Sequence, residues 1–113
     1  MKILNEPISI EALRVLAANS FGDLVKAVVD VEKSLVAVDA ELHADLEALL
    51  LEKGSIQQHL WGINFYPDLE DDDFLEFDSM INMRPSQNNM TRGVDDGKIR
   101  EKIRRVVDQW VKR

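Results

Sequence analysis

"HLWGINFYP", residues 59–67, is the stretch whose reading decides the fold. Its large apolar residues alternate. In an extended chain Trp61, Ile63 and Phe65 project to one side, and Leu60, Gly62, Asn64 and Tyr66 to the other. Pro67 has no N–H to give to a ladder and ends the strand. The expected partner is "FLEFDSMINM", residues 74–83, where Leu75, Phe77, Ser79, Ile81 and Met83 alternate with Glu76, Asp78, Met80, Asn82 and Arg84. The acidic "DLEDDD", residues 68–73, is a solvated connector between the two. If Phe65 lies opposite Leu75, then Ile63 meets Phe77 and Trp61 meets Ser79. Directly opposed residues of antiparallel strands share a side, so both apolar stripes fall on one face.

Upstream, Ser9 precedes "IEALRVLAANSFG", in which Ile10, Leu13, Leu16, Ala17 and Phe21 recur at helical spacing before Gly22. A helix is expected over 9–20, with Ser9 as its cap. The Val-rich run that follows lacks a helical period and reads as strands 25–31 and 35–39 around the polar Glu32-Lys33-Ser34. "ADLEALLLEKGS" predicts a second helix over 44–53, with Asp45 at its start and Gly54 as its stop. At the C-terminus, Ile99, Ile103, Val106, Val107 and Trp110 make one apolar face of a helix reaching the chain end, capped by Asp95 or Asp96. The expected architecture is α+β in the order α-β-β-α-β-β-α. It has a mostly antiparallel sheet of about four strands and three helices packed on one side.

Composition sets the frame. The 113 residues predict a single domain. With no cysteine there is no disulfide or thiolate chemistry. The N-terminus lacks the apolar core of a secretory signal, and no apolar run approaches the ~20 residues of a membrane span, so a cytoplasmic location is expected. A net charge of -7 argues against a general nucleic-acid binder. The charge is unevenly placed: residues 98–113 carry seven Lys/Arg against two acids, while residues 1–97 carry seven against nineteen. That basic segment is expected to face the acidic body of its own domain.

"ELHAD", "EALLLEKGS", "LWGINFYP" and "SMINMRPSQNN" together resemble a family of small uncharacterised prokaryotic proteins, a domain of unknown function. The resemblance runs from about Val25 to Val107. His43, Asp45, Gly54, Ser55, Trp61, Gly62, Asn64, Tyr66, Pro67, Asn82, Arg84, Pro85 and Asn88 match its pattern. It implies a Gly-Gly pair where this chain has Asp39-Ala40. It carries over no assigned activity, and any cofactor is left open.

Three constellations bear on function. In "HADLE", His43 and Glu47 stand at a spacing that can share a metal, with Asp45 beside them and His59 as the only other histidine. The plainer reading is a helix start in which Asp45 caps, and no metal site is expected. On the polar side of the hairpin, Glu76 and Asp78 project together near Asn64, Asn82 and Arg84. A carboxylate pair can divide acid and base roles, and a wetted sheet face produces the same row without function. "RPSQNNMTR", residues 84–92, supplies Arg84, Ser86, Gln87, Asn88 and Arg92 with no acid, and the two guanidinium groups could clamp an anion. The plainer reading is a connector whose amides satisfy its own backbone. Arg100, Arg104 and Arg105 read as a solvated helix face helped by a Glu101–Arg105 pair.

The leading expectation is a non-catalytic binding or interaction module forming a homodimer, closed through Met80 and an exposed strand edge at 35–38. The rival is an enzyme or ligand-binding protein for an anionic small molecule or nucleotide. There Arg84 and Arg92 hold the anion, and His43, Glu76 or Asp78 supplies acid–base work. A third reading has the acidic run 70–73 meet a basic partner protein.

Overall fold

The computed structural model describes residues 1–113. Its elements are β1 (Lys2–Ile3), β2 (Ile8–Ser9), α1 (Ile10–Ala18), β3 (Val25–Asp30), β4 (Leu35–Val38), α2 (His43–Glu52), β5 (Leu60–Phe65), β6 (Leu75–Glu76), α3 (Gly97–Trp110) and β7 (Val111–Lys112). The protein is α+β with three helices. A five-stranded antiparallel sheet runs in the order β1-β4-β3-β5-β6, and β2 and β7 pair in parallel as a separate ribbon. No helix is long and apolar enough to cross a membrane.

The helices do not share one side of the sheet as expected; they split between its two faces. Trp61, Ile63 and Phe65 join Val25, Ala27, Val29, Val36 and Val38 in a core closed by Leu13 and Ala17 of α1 and by Ile103, Val106 and Val107 of α3. The opposite face buries Val28, Ala37 and Leu60 under Leu46 and Leu50 of α2. Covering on both faces is the reason the run around β3 shows so little alternation: neither parity of residue meets water over most of the strand. The exposed edge expected at β4 is closed by β1 instead: β4 lies between β1 and β3, with Lys2 opposite Val38 and Leu35 opposite Asp30.

The β5–β6 hairpin keeps the expected register, with Phe65 opposite Leu75 and Asn64 opposite Glu76. Phe77 packs on the same core as Phe65. The expected ten-residue strand, however, stops at Glu76. Beyond it, side-chain amides replace the ladder. Asn82 Oδ1 accepts from the Gly62 N–H at 2.8 Å, and Asn82 Nδ2 donates to the Gly62 carbonyl at 3.0 Å. The pairings of Ile63 with Phe77 and Trp61 with Ser79 therefore do not form, and residues 80–82 coil into a single 3₁₀ turn. Ser79 and Ile81 turn instead to the α2 side.

Helix ends differ in detail. Ser9 caps α1 by accepting from Ala12 N at 3.1 Å, but Phe21 lies beyond the helix and is exposed. Asp96 caps α3, accepting from Lys98 N at 2.8 Å, while Asp95 holds the loop through Met90 N and Thr91 Oγ1. α3 ends at Trp110, short of the chain end, because Val111 and Lys112 pair with β2. Asp45 does not cap α2: the cap position is Leu42, which gives no side-chain bond. The C-terminal arginines do face the acidic loop. Arg104 and Arg113 share a crevice with Asp71 and Asp72, with Arg113 stacked 4.5 Å over Phe74. Glu101 and Arg105 make no ion pair.

Candidate functional site

α2 covers only part of its face of the sheet. Leu46 and Leu50 lie over Val28 and Leu60. On the same face, Lys26 opposite Asn64 and Asn64 opposite Glu76 continue the row beyond the helix. There a cleft of about 380 Å³ opens, lined further by the first turn of α2, by residues 78–81 and by Arg92. Its size falls within the roughly 300–1,000 Å³ usual for small-molecule sites.

Each polar group in it is held in a definite state. His43 is buried, and its Nε2 lies 2.8 Å from the Ile63 carbonyl. A carbonyl only accepts, so Nε2 carries the proton and the neutral ring keeps its lone pair on Nδ1. Burial pushes its pKa below the ordinary histidine value. The bond to Ile63 opposes that shift, and the charge of Lys26 adds to it. Asn64 Nδ2 donates to Glu76 Oε1 at 2.8 Å and to the Asp78 carbonyl at 3.2 Å, which fixes the orientation of the amide. Asn64 is 5% exposed, and its Oδ1 is buried beside the His43 ring without a hydrogen bond of regular geometry. The Tyr66 hydroxyl donates to Glu76 Oε1 at 3.1 Å. Burial first, and then that bond and the charge of Glu76, raise the phenol above its ordinary value and keep it a donor. Arg92 Nε donates to Asp78 Oδ1 at 2.7 Å. Lys26 makes no ion pair, and its ammonium lies 4.8 Å from the Phe21 ring centre. The first turn of α2, without a side-chain cap, brings the positive end of its dipole to the same cleft.

Gly62 makes the arrangement possible. A Cβ there would fall 2.5 Å from Ser79 Cβ and 3.2 Å from His43 Cδ2. Only glycine lets the 78–81 segment and the imidazole close over the strand.

Of the residues expected to carry function, the fold brings His43, Glu76, Asp78 and Arg92 together. Arg84 is elsewhere and is committed to its own chain. Nε donates to the Ile81 carbonyl at 2.9 Å, one terminal nitrogen to the Gln57 carbonyl at 2.7 Å and Gln87 Oε1 at 3.0 Å, and the other to the Leu60 carbonyl. The guanidinium stacks 4.6 Å over Trp61, and burial lowers its pKa. Gln87 binds Arg84 and the Gln58 carbonyl, while Ser86 and Asn88 are exposed, with Asn88 left-handed at φ 58°. Asn89 completes the loop: Nδ2 donates to carbonyls of residues 82, 91 and 93, and Oδ1 accepts from Asp95 N. Residues 84–92 thus largely bond to themselves and to the start of β5. His43 points into the sheet, away from exposed Asp45, and no three His, Asp or Glu side chains are grouped to hold a metal ion.

Among the cleft residues that the sequence does not mark as site residues are Lys26 and Tyr66. The signal for Lys26 was a lone cation inside an apolar run. For Tyr66 it was the alternation that set it beside Asn64.

No curated protein and no solved structure matches this chain. A family model does, over residues 2–110, which is wider than the 25–107 of the sequence resemblance and takes in β1 and α1. On that match, the chain belongs to the family described as Protein of unknown function (DUF5674).

Proposed function

We propose that this protein is a binding module for a small anionic molecule, seated in the cleft beside α2. One observation carries the reading. The unpaired Lys26 ammonium and the uncapped first turn of α2 line the same cleft, with the Arg92 guanidinium on its far side. The anion sits toward Lys26 and the helix start rather than on an Arg84–Arg92 clamp, since Arg84 already spends its donors on backbone carbonyls. The module is non-catalytic. Ser79 Oγ, an aliphatic hydroxyl lining the cleft, is buried and accepts from Ile81 N, which fits a binding role.

The test is a thermal-shift series with phosphate, sulfate and mono- and dicarboxylates at low salt. Binding raises the melting temperature by mass action, and Lys26→Ala abolishes the gain while Arg84→Lys keeps it. No gain with any anion would refute the proposal.

Self-association is the second reading. Met80 (64% exposed) and Leu42 (57%) both stand on the cleft rim, where a second copy could cap them. With β4 paired to β1, Met80 is the remaining support for a dimer. Light scattering should then give a dimer that Met80→Arg converts to monomer.

A further inference from the structure

The cleft is not uniformly positive, and its two ends differ. At one end stand Lys26 and the α2 amides. At the other, beside the Arg92–Asp78 pair, three groups accept and have no donor. Asn64 Oδ1 is buried and unpartnered. Glu76 Oε2 is left over after Oε1 takes Asn64 and Tyr66. The His43 Nδ1 lone pair is set by the bond of Nε2 to Ile63. A simple anion satisfies the first end and none of the second. Arg92 pairs with Asp78 and makes no ion pair with Glu76.

We infer that the ligand is a small zwitterion of the α-amino-acid class, with its carboxylate toward Lys26 and the start of α2 and its ammonium donating to Asn64 Oδ1 and Glu76. The ammonium carries three N–H groups, and the cleft offers three acceptors without partners: the Asn64 amide oxygen, the second Glu76 oxygen and Nδ1 of His43. Leaving a buried amide oxygen bare is costly, and a charged donor removes that cost. A hydroxyl can occupy one acceptor, and a ketone none.

This inference rests on the anion-binding reading, and the experiment separates the two. Calorimetry on the whole chain at neutral pH compares each L-α-amino acid with its 2-hydroxy acid, its 2-oxo acid and the amine formed by decarboxylation. The expected result is at least one amino acid binding about tenfold or more tighter than all three counterparts. Glu76→Gln should remove that preference while leaving 2-oxo-acid binding in place, because Gln Oε1 can still accept from Asn64 and Tyr66. Its melting temperature reports whether the fold is intact. Equal binding of amino acids and 2-oxo acids overturns the zwitterion assignment and leaves the anion reading standing. No binding by any member, with no shift by phosphate or sulfate, overturns both.

Discussion

Gly62 and Arg84 show how single residues set this molecule's shape. A Cβ at position 62 would overlap Ser79 Cβ and Oγ, at 2.5 and 2.6 Å. Gly62→Ala is therefore expected to cost about 1–3 kcal/mol by overpacking. Because the two closest overlaps are both with Ser79, and His43 Cδ2 stands farther off at 3.2 Å, Ser79→Gly in the same chain should recover part of the loss. Urea denaturation of the single and double variants measures the coupling. Arg84→Ala removes the donor from three backbone carbonyls and is expected to destabilise by about 3 kcal/mol or more. Arg84→Lys should recover only a minor part, since an ammonium cannot reproduce the planar fork. The sequence made Arg84 a candidate ligand clamp because a guanidinium beside Asn and Gln has the same composition whether it faces a ligand or its own backbone. What separates the two is the position of the Leu60 and Gln57 carbonyls, some 24–27 residues away in sequence.

Among the elements, those with local causes were legible. α1 has its Ser9 cap, α3 its apolar stripe and Asp96 cap, and β5 its alternation and Pro67 stop. Asp96→Ala is expected to cost about 1 kcal/mol, read from the thermal midpoint. Asp39-Ala40 stands where the resemblance implies a Gly-Gly pair, and Asp39 adopts a left-handed φ of 74°. Asp39→Gly should raise stability by up to about 1 kcal/mol, less whatever the exposed pair with the N-terminal amine contributes. Denaturant midpoints at equal m-value test it. β6 was the element read too long. Its alternation persists past Glu76, but the Gly62 peptide that a longer strand would pair with is occupied by the Asn82 amide. A side chain that imitates a peptide leaves no mark in a period-two pattern.

For the whole molecule, pH dependence is the simplest global probe. His43 is buried with its pKa below the ordinary 6.5. The unfolded chain thus binds a proton at this site more readily than the folded one. The contribution is complete above about 6.5 and is lost as pH falls from there through the lower folded pKa. Stability by urea melts should drop as pH falls below about 6.5. In His43→Asn the drop should be smaller, and an unchanged slope would assign it to other groups. By itself the sequence determined the α+β class, the three helices, the β5–β6 register and which residues of β5 share a face. All of these follow from local periodicity, capping and the fixed parity of an antiparallel pair. Only the tertiary structure decided that α2 lies on the opposite face from α1 and α3. It alone showed that β1 closes the edge at β4, and that His43, Asn64 and Glu76 meet in one cleft while Arg84 is withdrawn from it. An apolar helix stripe says that a face is buried but not against which side of the sheet, because both sides of β3 and β4 offer the same greasy surface.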